Sequence, residues 1–237
     1  MTTRDGRGGI AVLALVGLVL AGWAVAVKSP LFGLREVRVQ GNVRLSADDV
    51  EALAGVGDEA NILTLGLGRV AAAVEADPWV RRATVVRDLP GTLVIRVKER
   101  SPIGWVADPE GGVVVSGDGV ALARRAEPRR LATIGRSPQA LDPGTQVSSV
   151  LRGAIDVVAA LPPRVRREVE AVDASGPEVT ARLRSGAEVM IGRSADLSEK
   201  AAALDSILRW AGEREVVLAY IDVRAPRTPA VKPVTSA

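Results

Sequence analysis

DPWVRRATVVRDLPGTLVIRVK, residues 77–98, is the stretch that decides the fold of the first folded part of this chain. Val80 to Arg87 and Thr92 to Lys98 are each typical of a β-strand, and alternate apolar residues of the second run share one face. Leu89-Pro90-Gly91 lies between the two runs and favours a tight turn. The segment therefore predicts a β-hairpin.

The residues before this hairpin predict one more strand and two helices. Alternation from Arg35 to Gln40 indicates a short strand, and a capping-box pattern at Ser46-Ala47-Asp48-Asp49 begins a helix. A second helix is predicted from about Arg69 to Ala76, and it ends before Pro78 because the residue preceding proline avoids helical geometry. Leu34 to Arg100 thus has the order β-α-α-β-β, with the helices covering one face of a small sheet.

From Pro102 onward the pattern changes to short strands separated by glycine-rich turns, which predicts a second, mixed β domain with two helices. The predicted helices run from about Val147 to Leu161, where Pro162-Pro163 ends the first, and from about Asp196 to Ala211. The fold class is therefore α+β. The predicted strands are residues 103–107, 113–116, 120–123, 131–134, 169–173, 179–183, 188–191 and 215–223.

A run of uncharged residues from Ile10 to Val27 predicts a single N-terminal transmembrane helix. Residues 1–9 would then be a short cytoplasmic tail, with the rest of the chain outside the cytoplasm. The competing hypothesis is a cleaved signal peptide, because Ala24-Val25-Ala26 is an A-x-A pattern. The run exceeds the usual apolar core of a signal peptide, which favours an anchor.

The end of the chain differs in composition from the rest. Arg224 to Ala237 contains three prolines, two arginines, one lysine and no acidic residue. We expect this segment to be a flexible basic tail.

Composition argues against most enzyme classes. The chain has no histidine and no cysteine, so His-based nucleophile systems and the common zinc, haem and iron–sulfur ligands are absent. None of the four lysines has the S-x-x-K spacing of a Ser-Lys dyad. We expect no catalytic residue, no metal, no cofactor and no small-molecule substrate.

Two further patterns have plainer explanations than ligand binding. The Arg-Arg pairs lack interleaved aromatic residues, so they predict a solvated surface and not a nucleic-acid site. Gly66-Leu67-Gly68-Arg69-Val70-Ala71 matches G-x-G-x-x-A, but a hairpin follows instead of repeated crossover units. We interpret it as a turn followed by the start of a helix.

The ordered set of motifs along the chain resembles the FtsQ/DivIB family of bacterial cell-division proteins, over essentially the whole length. Prevalence of Arg, Ala, Val and Gly over Lys and Asn further indicates a high-GC genome, such as an actinobacterial one. The motifs that carry the resemblance are Val37-Arg38-Val39-Gln40-Gly41-Asn42 with Leu45-Ser46, Asp77-Pro78-Trp79-Val80-Arg81-Arg82-Ala83-Thr84-Val85, Arg87-Asp88-Leu89-Pro90-Gly91-Thr92-Leu93, Val97-Lys98-Glu99-Arg100-Ser101-Pro102-Ile103-Gly104-Trp105, Gly117-Asp118-Gly119-Val120, Lys200-Ala201 and Tyr220-Ile221-Asp222-Val223-Arg224.

By this resemblance, residues 34–100 would be a POTRA domain and residues 101–223 the β domain of the family. The resemblance implies a non-catalytic, single-pass type II protein of the cytoplasmic membrane, concentrated at the division septum. It also implies binding to the coiled-coil proteins FtsB (DivIC) and FtsL, which act on the FtsW and FtsI synthases of septal peptidoglycan.

The resemblance further implies that a partner pairs with the edge of the final strands. The residues that this implies for partner binding are Tyr220, Asp222, Val223, Arg224, Ala225 and Arg227. The chain departs from the family pattern here, since Ala225 stands where an aromatic residue is expected and Pro226 and Pro229 each lack a backbone donor. A shorter edge, or an ordinary closing strand with Tyr220 in the core, is the alternative.

A different function class also has POTRA domains, namely envelope assembly and secretion proteins that precede an outer-membrane barrel. No barrel-length series of alternating strands follows in this sequence. We therefore treat envelope assembly or secretion as the second hypothesis.

Overall fold

The computed structural model describes residues 6–57, 59–126, 130–174 and 178–234, and it describes the side chains of the first helix from Val12 to Val27. The chain divides into two compact units, Met1–Glu99 (unit 1) and Arg100–Ala237 (unit 2). Each unit has its own cluster of buried apolar side chains.

Unit 1 contains a three-stranded sheet covered by two helices. Its central strand β3 pairs parallel with β1 and antiparallel with β2, and Leu93, Ile95 and Val97 of β3 are buried against the helices. The predicted order β-α-α-β-β is confirmed. The elements are α1 (Gly6–Lys28), a 3₁₀ turn (Pro30–Phe32), β1 (Glu36–Gln40), α2 (Ala47–Ala54), α3 (Leu67–Glu75), β2 (Val80–Asp88) and β3 (Thr92–Glu99).

The apolar run from Ile10 to Val27 lies within α1, so its helical conformation is as predicted. Over the residues that the structure describes, however, no helix is both long enough and apolar enough to cross a membrane.

Two carboxylates fix the backbone around α2. The predicted capping box is confirmed, because the Asp49 N–H donates to Ser46 Oγ at 3.0 Å and the Ser46 N–H donates to Asp49 Oδ2 at 3.0 Å. The Glu99 carboxylate accepts the backbone N–H groups of Val43, Arg44 and Leu45 at 2.9–3.1 Å. Burial raises the pKa of Glu99, but these three hydrogen bonds outweigh it and the pKa is lowered.

Unit 2 is a nine-stranded sheet with the order β12-β11-β10-β9-β8-β7-β4-β5-β6. Its helices contact β4, β7 and β8 and bury their apolar residues in one continuous core. The elements are β4 (Pro102–Asp108), β5 (Gly111–Ser116), β6 (Ala121–Arg124), β7 (Ala132–Arg136), α4 (Ser149–Ala160), α5 (Pro163–Glu168), β8 (Val169–Asp173), β9 (Val179–Leu183), β10 (Glu188–Gly192), α6 (Leu197–Glu213), β11 (Leu218–Asp222) and β12 (Ala230–Pro233).

The prediction of two helices in this domain is wrong, because α5 is a third. Pro162-Pro163 was expected to end a helix, and α4 does end before it. Pro163 also occupies the first position of α5, where the missing N–H would have no intrahelical partner and the fixed φ favours the helix.

The prediction of a flexible tail from Arg224 is also wrong in part. The chain turns after β11, where the Thr228 N–H donates to the Ala225 carbonyl at 3.0 Å, and residues 230–233 return as β12, antiparallel to β11. Prolines bordering a short strand are compatible with the edge of a sheet, where one side of the backbone needs no donor.

Gly104 in β4 permits the close approach of β7. A Cβ atom at this position would lie 2.2 Å from Cδ1 of the fully buried Ile134, and the dense core leaves Ile134 little room to move.

We expect Gly104→Ala to destabilise unit 2 by about 1–3 kcal/mol, as overpacked cores typically do. The measurement is the thermal unfolding midpoint of the full chain. Gly117→Ala is the matched control, because the nearest atom to its Cβ would be 3.7 Å away. Equal midpoints for the two variants would contradict the role given to Gly104.

Candidate partner-binding edge

The large sheet of unit 2 has two edge strands, β6 and β12, and they differ in whether another backbone segment hydrogen-bonds to their outer side. On the β6 edge, a loop covers the strand, since the Ala121 N–H donates to Thr145 O at 2.9 Å and the Gly144 N–H donates to Ala121 O at 2.8 Å. The other edge is β12. Among the residues that the structure describes, no backbone segment pairs with the outer side of β12.

The direction of the backbone groups of β12 follows from its pairing with β11. The Val234 N–H donates to Val217 O at 2.8 Å, so the backbone of Val234 and, by alternation, that of Lys232 face β11. Val231 and Pro233 then face away from the sheet. The outer edge thus offers the N–H and C=O of Val231 and the C=O of Pro233.

An apolar groove lies beside β12 on the helical side of the sheet. Val231 pairs with the buried Ile221, so its side chain points toward α6. The groove has a volume of about 440 Å³ between α6 and the segment that leads into β12. Trp210 of α6 is 38% exposed, and the Arg214 guanidinium lies over its ring at 5.5 Å from the centroid. The lining residues are Ala203, Ser206, Ile207, Trp210, Pro226, Pro229 and Val231.

Three of the predicted site residues form one polar network on the opposite, open face of the sheet. Ile221 is buried toward the helices, so its neighbours Tyr220 and Asp222 point to the open face. Arg224 donates from Nη2 to Asp222 Oδ2 at 2.7 Å and from Nε to Oδ1 at 3.1 Å. The Tyr220 hydroxyl lies 3.4 Å from Asp222 Oδ2. Tyr220 is therefore half-buried on the open face and does not belong to the core.

The remaining predicted site residues lie elsewhere. Val223 is buried in the core of unit 2, and its side chain is not available at the surface. Ala225 is exposed in the turn between β11 and β12. Arg227, in the same turn, has a largely exposed side chain whose Nε lies 3.7 Å from Glu199 at the start of α6, and such an ion pair contributes little.

The sequence analysis missed the edge strand itself and the groove beside it. Ala230 to Pro233 is short and bordered by prolines, so it was assigned to the tail, although that composition is also typical of an edge strand. The sequence pattern of α6 predicts only its inward apolar stripe, and Trp210 lies outside that stripe. A tryptophan on the face of α6 opposite the apolar stripe is the sequence feature that could have indicated a second contact surface.

The small sheet of unit 1 offers less suitable edges. In β2, the Ala83 N–H donates to the Glu75 carboxylate at 2.8 Å, so a side chain already occupies a donor there. In β1, Glu36 and Arg38 pair with each other at 3.0 Å and are exposed. Charged edges discourage the addition of another strand.

The arrangement around β12, a strand edge beside an apolar groove, is suited to protein recognition. Within the described ranges, no set of three or more acidic side chains is placed to hold a metal ion.

Comparison with known proteins decides the family. A family model described as "POTRA domain, FtsQ-type" matches residues 32–100, and one described as "Cell division protein FtsQ/DivIB, C-terminal" matches residues 104–224. The second match alone covers more than half of the 237 residues. The chain belongs to the FtsQ/DivIB family. The resemblance that the sequence motifs indicated is confirmed, and with it a family role in bacterial cell division.

Relatives agree with this assignment. The chain is similar to the cell division protein FtsQ of Mycolicibacterium smegmatis, with 31% identity over 86% of this chain and 58% of that protein, so the match spans less than two thirds of that relative. It is similar to FtsQ of Anaeromyxobacter sp. strain K, with 30% identity over 94% of this chain and 79% of that protein. A solved extracytoplasmic domain of DivIB from Geobacillus stearothermophilus shares 16% identity over 50% of this chain and 98% of that chain, at a TM-score of 0.35.

Arg224 also controls the ionisation of Asp222. The pKa of the Asp222 carboxyl is lowered chiefly because the Arg224 side chain donates hydrogen bonds to it, and partial burial only partly opposes this. The pKa of the Arg224 guanidinium is raised by the same contact. A lowered carboxyl pKa stabilises the folded protein above the ordinary pKa, and that contribution is lost as the pH falls through the lowered value.

We expect Arg224→Ala to raise the pKa of Asp222, because the half-buried carboxylate then loses its main donor. The part of the acid-side stability loss that comes from Asp222 should become smaller than in the unsubstituted protein, because the pKa of this carboxyl in the folded state moves toward its value in the unfolded chain. Carboxyl-carbon NMR titration of Asp222 in the full chain measures the change. Arg224→Lys is the control that keeps the charge without the two-pronged geometry, and it should lie between the two. An unchanged titration in Arg224→Ala would contradict the network.

Proposed function

We propose that this protein is a non-catalytic scaffold of the bacterial divisome that binds its partners at the free edge of β12. Residues 34–100 are its POTRA domain and residues 101–223, extended by β12, its β domain. The partners are coiled-coil proteins of the FtsB/DivIC and FtsL kind, through which the scaffold regulates FtsW and FtsI and thereby septal peptidoglycan synthesis. The observation that carries this proposal is the unpaired outer side of β12, beside an apolar groove, in a member of a cell-division family.

Strand addition alone would give a weak complex. The three outward groups of Val231 and Pro233 can form hydrogen bonds that contribute about 0.5–1.5 kcal/mol each, or about 1.5–4.5 kcal/mol together. A dissociation constant of 1 mM already requires about 4.1 kcal/mol. The backbone edge therefore sets the register and direction of the partner, and side chains must supply most of the affinity.

The groove supplies the site for such a side chain. Burying a leucine or phenylalanine of the partner against Trp210 and Val231 would contribute about 1.5–3 kcal/mol. Aromatic rings in partly enclosed pockets are common energetic centres of interfaces. Lys232 points to the open face beside Tyr220, and Arg227 is exposed in the neighbouring turn. These cations favour a partner strand that carries acidic residues.

We also propose that α1 anchors the protein in the cytoplasmic membrane, with both units on the outer side. The support comes from the uncharged sequence between Ile10 and Val27 and from exposed apolar side chains on all sides of α1, which have no soluble core to cover them. The exposed apolar residues of α1 are Val12, Leu13, Leu15, Val16, Leu18, Val19, Leu20, Trp23 and Val25.

Val231→Pro tests the edge directly. The substitution removes an N–H that faces away from β11, so the unfolding midpoint of the full chain should stay unchanged while a partner strand loses a donor and meets the proline ring. We expect the affinity for the extracytoplasmic segment of the FtsB/DivIC-like protein to fall about tenfold, which corresponds to about 1.4 kcal/mol. Calorimetric titration of the detergent-solubilised chain measures it.

Val231→Thr is the matched control, because it keeps the shape and the backbone donor. In cells whose sole copy carries Val231→Pro at normal protein levels, division should fail, whereas cells with Val231→Thr should divide. Full affinity and normal division of the proline variant would contradict strand addition at β12.

A further inference from the structure

Two exposed leucines lie at the same end of unit 1, where α1 joins it. Leu31, in the 3₁₀ turn after α1, is 60% exposed, and Leu89, in the turn between β2 and β3, is 56% exposed. The two turns are adjacent, because a Cβ on Gly91 would lie 2.8 Å from the Gly33 carbonyl oxygen and the Arg35 N–H donates to Gly91 O at 2.8 Å.

The connection between α1 and this end is short and hydrogen-bonded. Asn61 Nδ2 donates to the Val27 carbonyl in the last turn of α1 at 2.8 Å, while Asn61 Oδ1 accepts from the Leu63 N–H at 2.8 Å. The Ile62 N–H donates to Phe32 O at 2.8 Å, and the Leu34 N–H donates to Ala60 O at 2.8 Å. The junction therefore behaves as part of unit 1 and not as a free linker.

The length of the connecting chain limits the distance between Leu31 and the end of α1. Leu31 lies four positions after Val27, and a fully extended chain would span at most about 14 Å over that distance. The 3₁₀ turn at Pro30–Phe32 shortens it, since such a turn rises only about 2 Å per residue. A headgroup layer is about 5–7 Å thick on each side of the hydrocarbon core. If α1 lies in the membrane, this end of unit 1 is at its surface.

The opposite end of unit 1 provides the contrast. β1 and β3 run parallel from the α1 end, where Glu36 pairs with Thr92, toward Gln40 and Glu99. The eight residues of β3 span about 25 Å. Val43 lies beyond the far end, held by Glu99, and is 91% exposed.

We propose that the α1 end of unit 1 is a lipid-contact surface, in which Leu31 and Leu89 enter the headgroup layer and hold the domain in one orientation against the membrane. Arg35, exposed with its stem against Gly91, faces the lipid phosphates at the same level. Asp88, at the end of β2, does not oppose this strongly, because Arg38 pairs with it at 3.5 Å. The occupant of the surface is lipid and not protein, because α1 delivers it there. This inference rests on the anchoring part of the proposed function.

The absence of native cysteine makes a site-specific test straightforward. The full chain is reconstituted in nanodiscs of phosphatidylethanolamine and phosphatidylglycerol, with one fluorescent label on Leu18→Cys, Leu31→Cys, Leu89→Cys or Val43→Cys. Spin-labelled lipids carry the quencher either in the acyl chain or on the headgroup. The unfolding midpoint of each variant verifies that it is folded.

We expect the acyl-chain quencher to act on Leu18→Cys and the headgroup quencher to act severalfold more strongly on Leu31→Cys and Leu89→Cys than on Val43→Cys. Val43 is the matched control, since it is apolar and even more exposed but lies at the far end. If the acyl-chain quencher acts on Leu18→Cys but the headgroup quencher acts no more strongly on Leu89→Cys than on Val43→Cys, the lipid contact is overturned and the anchor is not. An unquenched Leu18 would overturn both.

Discussion

The antiparallel pairing of β12 with β11 determines which strand forms this edge of the large sheet and which backbone groups that edge exposes. It covers the backbone of β11, whose residues were predicted to bind the partner. The outward backbone groups of the edge therefore belong to Val231 and Pro233 of β12. It also brings Pro229 and Val231 toward α6, which closes one side of the apolar groove around Trp210. Without this pairing, the edge, the groove and the cationic surroundings would not be adjacent.

At several other places in the described part of the chain, a loop or a carboxylate occupies backbone donors that would otherwise be free. The loop at residues 144–147 hydrogen-bonds along the β6 edge, Glu75 accepts a donor of β2, and Glu99 accepts three donors of the loop before α2. Exposed strand edges promote unwanted association, so proteins usually cover or charge them. Among the described residues none covers the outer edge of β12, which lies beside an apolar groove, and this is the basis for proposing a partner strand there. Proline at the end of β12 limits how far along the edge such pairing can extend.

Much of the fold follows from local patterns in the sequence. The hairpin around Leu89-Pro90-Gly91 and the capping box at Ser46 combine strong local signals with regular periodicity, and both were predicted correctly. The third helix and β12 were not, because proline signals a boundary without indicating which side it belongs to. Pro163 begins α5, and the prolines at 226, 229 and 233 border a turn and an edge strand instead of a flexible tail.

The proposed partner-binding edge likewise depends partly on local sequence patterns and partly on contacts between distant residues. The alternation of β11 places Tyr220, Asp222 and Arg224 on one face and buries Val223, and this could have been derived from the strand pattern alone. The groove depends on the meeting of α6 with residues about twenty positions later, and no local pattern encodes that contact.

Amide hydrogen exchange at Val231 tests the central claim most directly. The full chain is measured by NMR alone and with the extracytoplasmic segment of its FtsB/DivIC-like partner. The account predicts fast exchange of the Val231 N–H in the free protein and strong protection in the complex, while the Lys232 N–H is protected in both. A complex that forms with the Val231 N–H still exchanging as in the free protein would contradict strand addition at β12.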